Sequence, residues 1–262
     1  MRAPTRSEFD PVHLTLGGAA IGESSPIEAC HPSPSPSLRR FKDSLVFLLA
    51  VTTGATDATA FERLGHVFAS AITGNLVLVG VGGARPAGRL ALFAGCALGG
   101  SVLGVLLAAP RRAQDSSNRR FWPRSTNLSL GAELLLLIAF AVAWEIDGYT
   151  PARAAQLAML ALCATAMGVQ SSALRRMGQI STTYLTSALT GVVESIKARR
   201  WTPTQARGLG TMLFALGGAA AATAVIGQAH AWLPLLQLLP LTIVELASLR
   251  LIRVDDSVAR AR

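Results

Sequence analysis

Apolar positions along the chain gather into long runs broken by short charged stretches. Read between charges, the runs fall at roughly 44–61, 67–84, 90–110, 127–144, 154–174, 179–196, 208–229 and 231–249. Each approaches the ~20 apolar residues a helix needs to cross a hydrocarbon core. The pattern predicts an all-α, polytopic integral membrane protein with eight hydrophobic segments.

The stretch GATDATAFERLGHVFASAITGN, residues 54–75, breaks this pattern by setting a carboxylate, an Glu-Arg pair, a histidine and an asparagine among apolar neighbours. It has a counterpart. Residues 57–76, DATAFERLGHVFASAITGNL, align with residues 170–189, QSSALRRMGQISTTYLTSAL, at a constant offset of 113. Asp57 falls on Gln170, Arg63 on Arg176, Gly65 on Gly178, Thr73 on Thr186 and Leu76 on Leu189. Further on, Arg89, Leu92, Phe93, Gly99 and Gly100 pair with Arg207, Leu213, Phe214, Gly217 and Gly218 across a short gap, and Glu133-Leu134 with Glu245-Leu246. The same order of elements twice predicts two related halves, about 41–147 and 148–252.

Segments two and six make poor spans. Residues 67–84 contain Asn75 and Gly74, Gly80, Gly82 and Gly83, and residues 179–196 are rich in serine and threonine hydroxyls. Positive charge favours the same conclusion. With eight full spans, Arg111, Arg112, Arg119, Arg120 and Arg124 would lie outside. If segments two and six dip in and return, only Arg63, Arg85, Arg89 and Arg153 of the 24 basic residues stay outside. The preferred architecture is therefore six full spans plus two interrupted or re-entrant segments, with eight spans (4+4) as the alternative. Three full spans per half would make the halves inverted, and re-entrant backbone at membrane depth needs protein or a watery cavity around it.

Composition sharpens this picture. Hydrophobic residues make up 51% of the 262 and charged residues 15%, which excludes an ordinary soluble domain. The net charge of +9 is spread over inter-span loops without an aromatic-interleaved patch, so it reads as membrane orientation and no nucleic-acid partner is expected. Residues 1–40, with HPSPSPS, read as a disordered tail, and 253–262 as a charged C-terminal tail. Cys30, Cys96 and Cys163 form no CxxC pair, and His13, His31, His66 and His230 are far apart, so neither a disulfide framework, a metal site nor a cofactor is expected. GxSxG, HExxH and Walker signatures are missing from the sequence, and no enzyme activity is expected.

The candidate binding residues are the polar ones at matched interruptions: Asp57, Arg63, Thr73 and Asn75 in the first half, Gln170, Arg176, Thr183 and Thr186 in the second. An unpaired carboxylate at mid-membrane costs roughly 2.5–3.5 kcal/mol, so Asp57 should be paired, protonated or facing water, with Thr73 or Asn75 as candidate partners. Two matched arginines suit an anionic group or the setting of helix ends. Glu133 and Glu245, repeated intramembrane carboxylates, suit proton coupling. Gly95 with Gly99 and Gly100 with Gly104 form GxxxG patterns expected at helix contacts.

The blocks DATAFERLGHVFASAITGNLVLVG (57–80) and GVQSSALRRMGQISTTYLTSALTGVVE (168–194) resemble those of the YoaK-like family of bacterial inner-membrane proteins, a domain of unknown function. The resemblance spans about residues 40–252; Glu62, Arg63 and Ser187 depart from the family pattern. It implies a bacterial plasma-membrane protein and brings no substrate. With the charge count it sets both termini in the cytoplasm. Together these features point to a small-solute transporter or permease with a central polar site in the lipid bilayer, against the alternative of a non-transporting structural or regulatory membrane protein.

Overall fold

The computed structural model describes residues 36–84, 88–108, 124–147, 151–177 and 185–260, with the side chains of residues 124, 185–188 and 251–260 outside that description. The expected N-terminal tail lies outside the described residues up to position 35. Its last residues do not: the first helix starts at Pro36, where the fixed φ of proline suits a helix's first position and its missing N–H costs nothing. Likewise the last helix runs to Arg260, into the stretch read as a C-terminal tail.

Among the described residues eight α-helices follow one another: α1 Pro36–Arg63, α2 Ile72–Gly83, α3 Arg89–Ala108, α4 Arg124–Ile146, α5 Arg153–Arg176, α6 Leu185–Ala198, α7 Pro203–Gln228 and α8 Leu233–Arg260. Six of them, α1, α3, α4, α5, α7 and α8, are long and apolar enough to cross a bilayer, whereas α2 and α6 have 12 and 14 residues. At 1.5 Å per residue these two reach only about 18–21 Å, short of a ~30 Å hydrocarbon core. The six-plus-two architecture therefore stands.

Hydrogen bonds fix which helix ends lie together. At one end, here called proximal, Lys42 Nζ donates to the Met177 carbonyl (3.1 Å), Arg207 pairs with Asp43 (3.7 Å), and Arg176 reaches Ala108 and Ser129. At the distal end, Arg89 donates to Gln156 Oε1 (3.5 Å) and Trp144 Nε1 to the His230 carbonyl (3.1 Å). Each long helix crosses from one end to the other. By contrast, α2 lies between two distal helix ends, and α6 between two proximal ones.

The centre of the bundle is α1 and α5, whose apolar windows are 61% and 67% buried, against 22–39% for the other four spans. Glycine sets how closely they are approached. A Cβ on Gly54 of α1 would run into the Ala215 carbonyl of α7, and one on Gly218 of α7 into Val51 of α1. In the same way Gly100 and Gly104 of α3 meet α5, and Gly168 of α5 meets Ser101 of α3. Gly95 and Gly99, the other expected GxxxG pair, have nothing within 4 Å and face outward. Lipid offers no hydrophobic drive between helices, so these close backbone approaches carry the association.

Packing partners follow an exchange rule. The third helix lies on the fifth and the seventh on the first; α4 packs on α5 and α8 on α1; α2 packs on α3 and α6 on α7; α4 and α8 meet each other. Swapping α1–α4 with α5–α8 leaves this pattern unchanged. The outward faces carry large apolar side chains, among them Leu103, Leu106, Leu135, Leu216 and Leu246, as a lipid-facing surface requires. In α8, Pro240 removes a backbone donor inside the helix, and the Thr52 hydroxyl of α1 supports that region by donating to the Gln237 carbonyl (3.3 Å).

Candidate functional site

Helix α1 ends where the backbone turns left-handed, at Gly65 (φ +102°) and His66 (φ 61°). Gly65 sits against the Phe93 ring, so only glycine combines that φ with that contact. From there residues 66–71 descend without helical hydrogen bonds and α2 climbs back. The depth follows from neighbours: Ser101 Oγ donates to the Ala69 carbonyl (3.3 Å), and Ser101 is twelve residues along α3 from Arg89, about 18 Å from the distal end. On the return, Gly82 lies against the Ala91 backbone, near where α3 starts. The elbow at Ala69–Ser70 thus sits deep in the bundle, where bare backbone polar groups have no water to turn to.

Polar side chains take that role. Asp57, two turns back on α1, accepts from the Ser70 N–H at Oδ1 (2.7 Å) and from the Ser70 hydroxyl at Oδ2 (2.6 Å). Asn75 closes the other side: its Oδ1 accepts from the Phe68 N–H (3.0 Å) and its Nδ2 donates to the Phe68 carbonyl (2.5 Å). Asp57 is therefore paired, as expected, but with Ser70 rather than with Thr73 or Asn75. The carboxyl group and the carboxamide replace the hydrogen bonds a continuous helix would have made. Thr73 is exposed on the outer face of α2 and joins neither cluster.

A second polar cluster lies between α1, α4 and α5. Gln170 is fully used: Nε2 donates to Glu133 Oε1 (3.0 Å) and the Leu49 carbonyl (3.4 Å), while Oε1 accepts from the Thr53 hydroxyl (2.7 Å). Glu133 is completely buried nine residues into α4, about 14 Å from its start, so it is not interfacial. Its Oε2 finds no partner among the described residues, and the same holds for Oε2 of half-buried Glu245 on the facing helix α8. Gln237 on α8, fully buried, donates to Thr59 Oγ1 (3.1 Å). Between the clusters Thr52, Thr53, Thr56 and Thr59 form a buried hydroxyl stripe along α1: Thr56 and Thr59 donate one turn back to a main-chain carbonyl, while Thr52 and Thr53 share their single proton between such a carbonyl and a partner on another helix.

The matched arginines occupy the last turns of α1 and α5, where positive charge complements the helix dipole. Arg176 ties α5 to the last carbonyl of α3 and to Ser129 of α4. Arg63 makes no hydrogen bond or ion pair among the described residues. Arg176→Ala is therefore expected to cost about 1–3 kcal/mol in an unfolding titration and Arg63→Ala less than about 0.5 kcal/mol. Thr183 lies outside the described residues, and Thr186 is described only as backbone in α6. Pattern reading did not single out Ser70, Ser101, Gln237 or the threonine stripe. The stripe alone left a signal, in hydroxyls recurring at helical spacing in an apolar run.

Six long apolar helices wrapped by lipid-facing side chains, one documented re-entrant elbow and carboxyl groups buried at depth define an all-helical polytopic membrane protein. Residues 45–245 match the family model described as protein of unknown function (DUF1275), and the chain belongs to that family. It is also 29% identical over 161 residues to the UPF0700 transmembrane protein YoaK of Bacillus subtilis (strain 168), covering 61% of this chain and 69% of that one. No solved structure matches.

Proposed function

We propose that the protein is a small-solute transporter whose pathway runs past the elbow at the centre of the bundle. The elbow carries this reading. Non-helical backbone is tolerated at membrane depth where it lines a cavity or is buried in protein, and interrupted segments mark the sites of transporters built from inverted repeats. The exchange rule in helix packing, with α2 and α6 lying at opposite ends, supports a duplicated, inverted origin for the two halves. Asp57 and Asn75 hold the moving part in place rather than contacting solute directly.

In this reading Glu133 and Glu245 are the proton-coupling pair, on helices α4 and α8 that correspond under the exchange and touch. Each has a carboxyl oxygen without a partner among the described residues, and Gln170 holds Glu133 from one side only. The proximal end, with Arg39, Arg40, Lys42, Arg175, Arg176, Arg199, Arg200 and Arg207, faces the cytoplasm of a bacterial cell, and the distal end, with Arg63, Arg89 and Arg153, faces out.

Reconstituted into liposomes under an imposed pH gradient, the protein should take up a subset of small polar solutes. Glu133→Gln keeps an acceptor for Gln170, so it should melt near the wild type while uptake loses its dependence on the gradient. A correctly folded wild type that moves none of a broad solute panel would overturn the transport reading and favour a scaffold role.

A further inference from the structure

The turn joining α6 to α7 at the proximal end is held from both sides, yet the residue at its tightest point is a poor choice for stability. At the close of α6 the Arg200 N–H donates to the Ser195 carbonyl (3.1 Å) and the Arg199 N–H to the Ile196 carbonyl (3.2 Å), the paired bonds that end a helix through a left-handed residue. That residue is Arg199, at φ 51°. Glycine ordinarily takes the place, because a Cβ there crowds the following carbonyl oxygen. Three positions on, Thr202 opens α7, its N–H and its hydroxyl both donating to Gln205 Oε1 (2.7 and 2.6 Å), and Pro203 follows. Only Arg200 and Trp201 stand between the two motifs, so the corner is rigid rather than a loose loop.

What the corner presents is charge. Lys197, Arg199 and Arg200 are exposed, and their side chains make no hydrogen bond or ion pair among the described residues, whereas Arg207, further along α7, is answered by Asp43 (3.7 Å). Glu194, the acidic residue of α6, pairs with none of the three. Beside the charge runs an apolar strip: Leu189, Val193 and Ile196 are exposed at helical spacing along α6, and exposed Trp201 extends it, while Val192 and Ser195 are buried where α6 packs on α7. Acyl chains suit the strip, and an indole suits the boundary between chains and water. Three cations at that boundary suit a phosphate, which guanidinium groups can grip with paired N–H bonds. We infer that this corner binds the phosphate headgroup of an anionic phospholipid whose chains lie along α6. Strained backbone persists where function holds it, and here the strain places a guanidinium where glycine would leave none. The site lies outside the transport pathway and draws on the transport reading only for its leaflet, the cytoplasmic one.

Trp201 is the reporter. The full chain and its Trp201→Phe variant would be reconstituted into phosphatidylcholine vesicles containing a small fraction of either phosphatidylglycerol or phosphatidylcholine with chains brominated near the headgroup, which quench indole fluorescence on contact. The signal of the full chain less that of the variant belongs to Trp201, and brominated phosphatidylglycerol should quench it well beyond brominated phosphatidylcholine at the same fraction. A basic side chain near an anionic surface is worth roughly fivefold in binding, so Arg199→Gly should lower the preference for phosphatidylglycerol by about that factor or more. The same variant should unfold at the wild-type temperature or above it, since glycine takes the left-handed place without strain. A lower preference with stability kept or raised is the split that a merely structural Arg199 would not produce. Equal quenching by the two lipids, a preference that survives in Trp201→Phe, or a preference untouched by Arg199→Gly overturns the proposal. So does Arg199→Gly losing stability together with preference, which would make the arginine a helix cap. Glycerol phosphate added in excess should leave the quenching in place; its relief would assign the corner to a soluble phosphate and overturn the lipid assignment. Both leaflets carry the brominated lipid, so the result stands whichever way the chain is oriented and whether or not it transports.

Discussion

Asp57→Ala is expected to destabilise the folded protein by about 2–5 kcal/mol, measured as unfolding free energy in a denaturing-detergent titration. Two donors, the Ser70 N–H and hydroxyl, lose their acceptor at once, at bond lengths of 2.7 and 2.6 Å. A hydrogen bond to a carboxylate contributes about 1.5–3 kcal/mol, and a buried donor left without an acceptor adds its own desolvation cost. Ser101 still holds the Ala69 carbonyl of the same elbow, so the bundle should remain assembled while residues 66–71 loosen. A double-mutant cycle with Ser70→Ala isolates the pair: the two changes should be clearly less than additive, because the second removes one of the donors orphaned by the first. Additive losses would mean that Asp57 acts through something other than Ser70. Uptake in liposomes should fall with the ordering of the elbow, and Asp57→Asn, which keeps one acceptor, should lie between wild type and alanine.

The next largest effect is expected at the helix crossings. Gly54→Ala and Gly168→Ala each place a methyl group against a main-chain carbonyl, that of Ala215 in one case and of Ser101 in the other. Backbone cannot step aside as a flexible side chain can, so the helices must separate or bend, at about 2–3 kcal/mol per site by the usual cost of overpacking. Gly99→Ala supplies the contrast: nothing lies within 4 Å, and alanine is the better helix former, so stability should stay level or rise by up to about 1 kcal/mol. Thermal unfolding of the three variants in one detergent checks the ordering. Similar losses at all three positions would show that intrinsic helix propensity, not close packing, decides these glycines.

Much of the architecture was legible in apolar run lengths. The six runs read as full spans are the six long helices, and the two read as poor spans are the two short ones, because run length and interruption act directly on whether a helix can cross hydrocarbon. The site was legible by residue more than by role. Asp57, Asn75 and Gln170 stand out as polar residues that a membrane tolerates only with partners, and each has them. Their partners were not legible, since Ser70 and Ser101 come together only once α2 folds back along α3. The alignment of Asp57 with Gln170 also concealed a difference in use. Asp57 bonds its own following loop, whereas Gln170 bonds two other helices. Equal places in a repeat settle where a side chain starts, not what it reaches. Thr73 shows the same limit: it lies two positions before Asn75 in sequence, yet two helical steps turn it outward.

The crossed packing of first on seventh and third on fifth has a bearing on how the molecule comes into being. Helix α1 leaves the ribosome long before α7, and α3 before α5, so the earliest spans enter the bilayer without the neighbours their glycines are shaped for. Until the last third of the chain is made, Gly54 has no Ala215 to meet and the α1 threonine stripe stands beside lipid or water instead of α8. Assembly is thereby tied to completion of the chain: a product halted before α7 would present an unclosed polar stripe to the membrane.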